Sequence, residues 1–213
     1  MSSDIFLAEQ LLEIKTIKVN VQQPFQWASG WKSPIYCDNR KVLAYTKIRK
    51  FIVDELCNAI KSNYASVELI AGVATAGIAW GALVANELNL PFCYVRPQPK
   101  SHGLNNQIEG DYSTNQKVVV IEDLISTGKS SIKVIEVLQQ LNLNILGLAC
   151  IFNYGFRDAV DAFGEIKIPF LSITNFEALL QKAIEKNIIQ PQDLEIIKIW
   201  QQNPASWQGQ ATK

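Results

Sequence analysis

The stretch Lys117-Val118-Val119-Val120-Ile121-Glu122-Asp123-Leu124-Ile125-Ser126-Thr127-Gly128-Lys129-Ser130-Ser131 decides the reading of this chain. Val118 to Ile121 form an unbroken β-branched run, as in a strand buried on both faces. Two adjacent acids follow, Glu122 and Asp123, then the hydroxyl-and-glycine loop Ser126–Ser130. A helical pattern starts directly after it, over residues 128–141. The expected order is therefore a strand ending at Ile121, two carboxylates at its C-terminal end, and a helix N-terminus beside them. Unpaired amides and the helix dipole favour an anion there. Carboxylates accept hydrogen bonds from sugar hydroxyls, so the parts fit a sugar-phosphate pocket. Gly128-Lys129-Ser130 ends like a nucleotide-binding P-loop. That motif requires a glycine five positions before its second one, and Asp123 stands there.

The flanking sequence extends the alternation. Strands are expected over 67–71, Phe92–Val95, 144–151 and 168–172, and helices over Thr46–Lys61, with Thr46 as cap, and 77–88. Thr174-Asn175-Phe176-Glu177 has capping-box spacing ahead of a helix carrying Leu179, Leu180, Ala183 and Ile184. A last helix after Pro191 carries Leu194, Ile197, Ile199 and Trp200. Near the N-terminus, residues 4–16 form an amphipathic pattern through Ile5, Leu7, Ala8, Leu11 and Leu12. Residues 24–39 read as two short strands around a turn at Ser29-Gly30. Strands alternating with helices imply an α/β fold: a mostly parallel central sheet flanked by helices, with ligands at the C-terminal strand ends. One domain is expected over 1–213. It comprises a helix and small hood over 1–45, an α/β core over 46–202 and a disordered tail over 203–213.

Composition narrows the function. Lysine plus arginine equals aspartate plus glutamate, 20 each, so the net charge is zero. That balance argues against general nucleic-acid binding, which needs a basic footprint. No apolar run approaches the ~20 residues of a membrane helix. Met1-Ser2-Ser3-Asp4 lacks the basic, apolar start of a signal peptide. Cys37, Cys57, Cys93 and Cys150 have no CxxC spacing and read as reduced thiols of a cytoplasmic protein. The chain holds one histidine, which argues against a zinc site.

Three further segments carry chemistry. Gly72-Val73-Ala74-Thr75-Ala76-Gly77 is a small-residue loop before a helix, allowing close backbone approach to a ligand. Residues 97–116 form a long polar stretch. Arg96, Lys100 and the only histidine, His102, lie at its start, with Gly103 and Gly110 as hinges, as in a mobile cationic lid. Ser29-Gly30-Trp31-Lys32-Ser33-Pro34-Ile35-Tyr36 reads as a hairpin or as a flap over a planar ligand.

Taken together these segments resemble a known family. Val118–Ser131 is similar to the 5-phosphoribosyl 1-pyrophosphate (PRPP) signature of type I phosphoribosyltransferases. Ser29–Tyr36, Gly72–Gly77, Tyr94–Gly103 and Asn106-Gln107-Ile108-Glu109-Gly110 narrow the resemblance to the orotate phosphoribosyltransferases. It covers roughly residues 5–185. It implies a glycosyltransferase of the pentosyltransferase class: orotate and PRPP give orotidine 5′-monophosphate and pyrophosphate in pyrimidine (UMP) biosynthesis. It implies Mg²⁺ carried by PRPP, with no metal site of the protein's own. The residues implied for PRPP are Arg96, Lys100, His102, Glu122, Asp123, Leu124, Ile125, Ser126, Thr127, Gly128, Lys129 and Ser130. Lys100, His102 and Asp123 are implied as catalytic, and Ser126 as the orotate contact. A homodimer is implied, each lid serving the neighbouring subunit's site.

The chain departs from the family pattern in three places. Arg96 is followed by Pro97 where some members have a lysine. Ala28 stands where some have a lysine. Asn153-Tyr154-Gly155 stands where others place an arginine that contacts orotate, which leaves backbone groups or Lys32 for the base's carboxylate. Two rival readings are a purine phosphoribosyltransferase and a non-catalytic PRPP-sensing regulator on the same fold.

Overall fold

The computed structural model describes residues 2–98 and 107–209. The centre is a six-stranded sheet in the order β10-β9-β8-β5-β6-β7. The strands are β5 (Leu69–Val73), β6 (Phe92–Val95), β7 (Ile108–Glu109), β8 (Lys117–Ile125), β9 (Asn144–Asn153) and β10 (Phe170–Asn175). All pairs are parallel except β6 with β7. The remaining strands make two antiparallel pairs at the N-terminal end. β1 (Ile17–Val19) pairs with β4 (Ile35–Cys37), and β2 (Phe25–Gln26) with β3 (Lys32–Ser33). They form the hood.

Helices cover both faces. On one side lie α1 (Ser3–Glu13), α2 (Thr46–Asn63), α3 (Ala76–Leu88), α6 (Phe176–Glu185) and α7 (Pro191–Gln202), packed on Ile70, Val119, Ile121, Ala149 and Ile151. On the other lie α4 (Lys129–Gln140) and α5 (Arg157–Glu165), packed on Leu69, Ala71, Val118, Val120 and Leu148. Alternate residues of one strand thus feed two cores, so a continuous apolar run was needed. Val118 to Ile121 have no solvent exposure, and each contributes about 1.5–3 kcal/mol by burial.

The chain winds from β5 through α3 to β6 on one side, then returns to place β8 on the other. The strand order reverses between β5 and β8. Ligands of open α/β sheets bind at such a switch point.

Several boundaries differ from expectation. β8 does not stop at Ile121: Glu122 pairs with Cys150 and Leu124 with Phe152, so both acids belong to the strand. β9 reaches Asn153, and the last strand starts at Phe170 and reaches Asn175. The cap of α6 is Asn175, whose side-chain oxygen accepts from the Ala178 amide. Thr174 is buried in β10 instead and donates its hydroxyl to the Asp4 carbonyl at 2.7 Å. Thr46 is the first residue of α2, and Tyr45 precedes it without a side-chain cap. β1 and β7 fall where no strand was expected. Of the expected tail, residues 203–209 are described, with Pro204 buried and Trp207 packed against the larger core.

Candidate active site

The loops leaving β5 and β8 meet at one polar cavity of about 200 Å³. Val73 to Ala76 form one wall. Glu122, Asp123, Leu124 and the residues Ser126 to Ser131 form the other. The two loops can lie this close because Gly72 and Gly77 have no side chains. A Cβ on Gly77 would run into the Ile121 carbonyl, and one on Gly72 would come within 2.8 Å of the Gly77 carbonyl. The Ala74–Thr75 peptide in this wall is cis.

Gly128 caps α4 at φ +75°, a left-handed conformation that suits glycine. A Cβ there would also press on the Phe163 ring at 2.8 Å. The first i→i−4 bond of α4 runs from the Ile132 amide to the Gly128 carbonyl. The amides before it lack intrahelical partners and belong to the cavity wall. The cavity therefore offers an amide-lined, dipole-positive end and an acidic end.

The acidic end is electrostatically unusual. Glu122 is 5 % exposed. Burial, then the adjacent Asp123 carboxylate, hold its carboxyl well above the usual carboxylate range. Burial also raises Asp123, while the hydrogen bond from Glu122 works in the opposite direction. The Asp123 amide donates to Glu122 Oε1 at 3.0 Å. Burial and mutual repulsion of the two carboxyls therefore favour a pair that shares a proton. Such a pair can donate to one hydroxyl and accept from its neighbour, as two vicinal ribose hydroxyls require.

A second cavity of about 290 Å³ adjoins the first under the hood. Its aromatic walls are Trp27, Tyr36 and Tyr154. The hood adds Gln26, Ala28 and Cys37, and the β8–α4 segment adds Leu124 and Ser126. Leu124 and Ser126 line both cavities. One half-buried hydroxyl, that of Ser126, thus stands between a polar cavity and an aromatic one. Asn39 locks hood to sheet: its Nδ2 donates to the Asp123 carbonyl at 2.9 Å, and its Oδ1 accepts from Cys37 Sγ at 3.3 Å.

The expected site residues separate into groups. Glu122, Asp123, Leu124, Ser126, Thr127, Gly128, Lys129 and Ser130 converge on the polar cavity. Ile125 does not: its side chain is buried in the smaller core, and its carbonyl accepts from the Tyr154 amide at 3.0 Å. Arg96 follows β6. Its amide donates to the Gln107 carbonyl, and its own carbonyl accepts from Gln107 Nε2, both at 2.8 Å. Arg96 Nη1 lies 3.7 Å from Glu109 Oε1. Lys100 and His102 lie outside the described residues. Lys32 donates to the Gln208 carbonyl at 3.0 Å and is not in the wall of the aromatic cavity.

Sequence reasoning missed Trp27, Cys37 and Asn39 as parts of the site. Trp27 and Cys37 flank the Ser29–Tyr36 segment that raised suspicion of a flap. Nothing local marks Asn39, whose partner is 84 residues away.

Comparison with known proteins agrees with this geometry. The phosphoribosyl transferase domain family model matches residues 41–177. The orotate phosphoribosyltransferase of Phocaeicola vulgatus is 49% identical over 202 residues, covering 95% of each chain. That of Listeria innocua is 46% identical over 207 residues, covering 97% of this chain and 99% of the other. Among solved structures, the orotate phosphoribosyltransferase of Aeropyrum pernix superposes with a TM-score of 0.73 at 30% identity. That match covers 83% of this chain and 97% of the other. With near-complete coverage at such identity, and a fold shared over most of its length, the chain belongs to the orotate phosphoribosyltransferase family of type I phosphoribosyltransferases.

Proposed function

We propose that this protein transfers the phosphoribosyl group of PRPP to orotate, giving orotidine 5′-monophosphate and pyrophosphate in pyrimidine biosynthesis. The observation that carries the reading is the shared wall of the two cavities, Leu124 and Ser126. A sugar phosphate in the polar cavity and a planar base in the aromatic one would meet there.

The 5′-phosphate is assigned to Ser126–Ser130 and the amides that open α4, where the dipole favours an anion. Glu122 and Asp123 take the ribose hydroxyls. In the transfer, the bond between the anomeric carbon and the pyrophosphate oxygen breaks. A bond from that carbon to a base nitrogen forms, and the nitrogen's proton is released. Positive charge builds on the sugar, beside the Asp123 carboxylate, and negative charge on the departing pyrophosphate. Arg96, Lys100 and His102 are assigned to that pyrophosphate, where fixed cations favour the transition state. The closing lid keeps water from PRPP.

Mg²⁺ belongs to the same proposal. No cluster of three or more His, Cys, Asp or Glu that could hold a metal exists among the described residues. Mg²⁺ is commonly held by phosphate oxygens and water with few protein ligands, so PRPP would carry it into the site. When bound, it neutralises charge on the leaving pyrophosphate.

A homodimer with lids over neighbouring sites, and a cytoplasmic location, complete the reading. No helix among the described residues is long and apolar enough to cross a membrane. All four cysteines are free thiols.

The test is pyrophosphate release from PRPP and Mg²⁺ with orotate, adenine, guanine, xanthine or uracil supplied in turn. Release with orotate supports the proposal. Release only with a purine identifies a purine transferase, and none with any base identifies a PRPP-sensing regulator.

A further inference from the structure

We infer that Tyr154 is the specificity-determining residue of the aromatic cavity, its uncharged phenol donating a hydrogen bond to the carboxylate of the base, since the described walls hold no cation. The inference rests on orotate being the base. Orotate brings a negative charge into a slot whose walls, among the described residues, hold no lysine, arginine or histidine. Two basic side chains of the hood region are engaged elsewhere: Lys32 with the Gln208 carbonyl at 3.0 Å, and Arg40 Nε with Asp38 at 2.7 Å. An anion in such a slot must be satisfied by neutral donors, because an unmatched buried charge is costly.

Tyr154 is placed to serve. Its ring is wedged between Phe152 at 4.9 Å, Trp27 at 5.1 Å and Phe156 at 5.3 Å, with Trp200 at 5.9 Å. Its amide donates to the Ile125 carbonyl at 3.0 Å, and its carbonyl accepts from Gln201 Nε2 at 3.3 Å. Ring and backbone are therefore fixed, and little freedom remains to be lost on binding. Only 2 % of the residue is exposed, yet it lines the cavity. Cys37 and Tyr36 line the same cavity, and after burial, the largest effect, the Cys37 thiol, the Asp123 carboxylate, the Cys37 backbone and Tyr36 act on the Tyr154 hydroxyl. Burial pushes the phenol well above its ordinary range, so it remains a donor at neutral pH. A phenol donating to a carboxylate is a charge-assisted bond, about twice as strong as a neutral one. A base without the carboxylate forgoes it.

The test uses the purified full chain with PRPP and Mg²⁺. Initial rates are measured against orotate and against uracil, for the wild type and Tyr154→Phe. The variant is expected to raise the orotate KM by about tenfold or more, with the PRPP KM and the uracil reaction near wild type. The preference for orotate over uracil then falls by the same factor. An unchanged orotate KM, or equal losses with both bases, would overturn the inference, the second pointing to a merely structural ring. A measurement on the unaltered protein stands in if Tyr154→Phe does not fold. Uracil-6-carboxamide should inhibit within about tenfold of the orotate KM, because the phenol can donate to either group. Inhibition weaker by about a thousandfold would mean that a cation reads the carboxylate, and would overturn it. Wild-type turnover with a purine and none with orotate would sink the proposed function as well, before any variant is made.

Discussion

Asn39 Nδ2 donates to the main-chain carbonyl of Asp123 at 2.9 Å, from a side chain with no solvent exposure. This bond ties the hood to β8 at the acid pair. The amide oxygen of the same side chain accepts the Cys37 thiol at 3.3 Å, in the wall of the aromatic cavity. Asn39→Ala leaves a buried carbonyl unpaired and costs about 1–3 kcal/mol. In a chain of this size each 1 kcal/mol lowers Tm by about 2–4 °C. Calorimetry should show the drop, with kcat/KM reduced as well. An unchanged Tm would mean that the bond carries no weight.

Glu122→Gln should stabilise the protein at neutral pH. The carboxyl of Glu122 is raised well above 4.5 in the folded state by burial and by Asp123. A raised acid contributes stability that is fully present below its unfolded value and is lost as pH rises through the folded value. At neutral pH that contribution is diminished, and the neutral amide escapes the loss. The Tm advantage of the variant should therefore shrink as pH falls towards 4.5. Thermal melts across that range check the sign, and an advantage that grows on acidification would refute the shared-proton pair.

Gly77→Ala should unfold or strongly destabilise the chain. The added methyl group meets the Ile121 carbonyl, which is backbone in the buried run of β8 and cannot swing aside. Overpacking of this kind costs at least about 1–3 kcal/mol. Gly164→Ala, in α5 with nothing within 4 Å of the added group, is the matched control and should melt near wild type or slightly above it.

His102→Ala and Lys100→Ala should lower kcat more than they weaken PRPP binding, because their proposed charge interactions strengthen as pyrophosphate departs. Steady-state rates at saturating substrate, with PRPP affinity measured separately, decide this. Turnover equal to wild type would remove both residues from the mechanism.

The layered sheet was legible because its central strands are continuous apolar runs, such as Val118–Ile121 and Leu69–Val73. The loop proposed for the phosphate stood out because its chemistry is local: hydroxyls, a glycine and a helix start within five residues, Ser126 to Ser130. What misled was long-range. Two acids look like the end of a strand, yet β9 continues to pair with Glu122 and Leu124. Thr174 and Asn175 both suit a helix cap, and the distant Asp4 carbonyl engages the threonine hydroxyl. Ile125 sits inside the phosphate motif, yet strand alternation turns its side chain into the core. Tyr154 and Asn39 gain their places only when the hood folds over the sheet.

The most direct measurement is the identity of the product. The purified chain should be incubated with PRPP, Mg²⁺ and orotate, and nucleotide and pyrophosphate quantified together by mass spectrometry and an enzymatic assay. The expected result is orotidine 5′-monophosphate and pyrophosphate in equal amounts. Pyrophosphate without the nucleotide, or neither product where a purine base yields its nucleotide, would contradict the assignment.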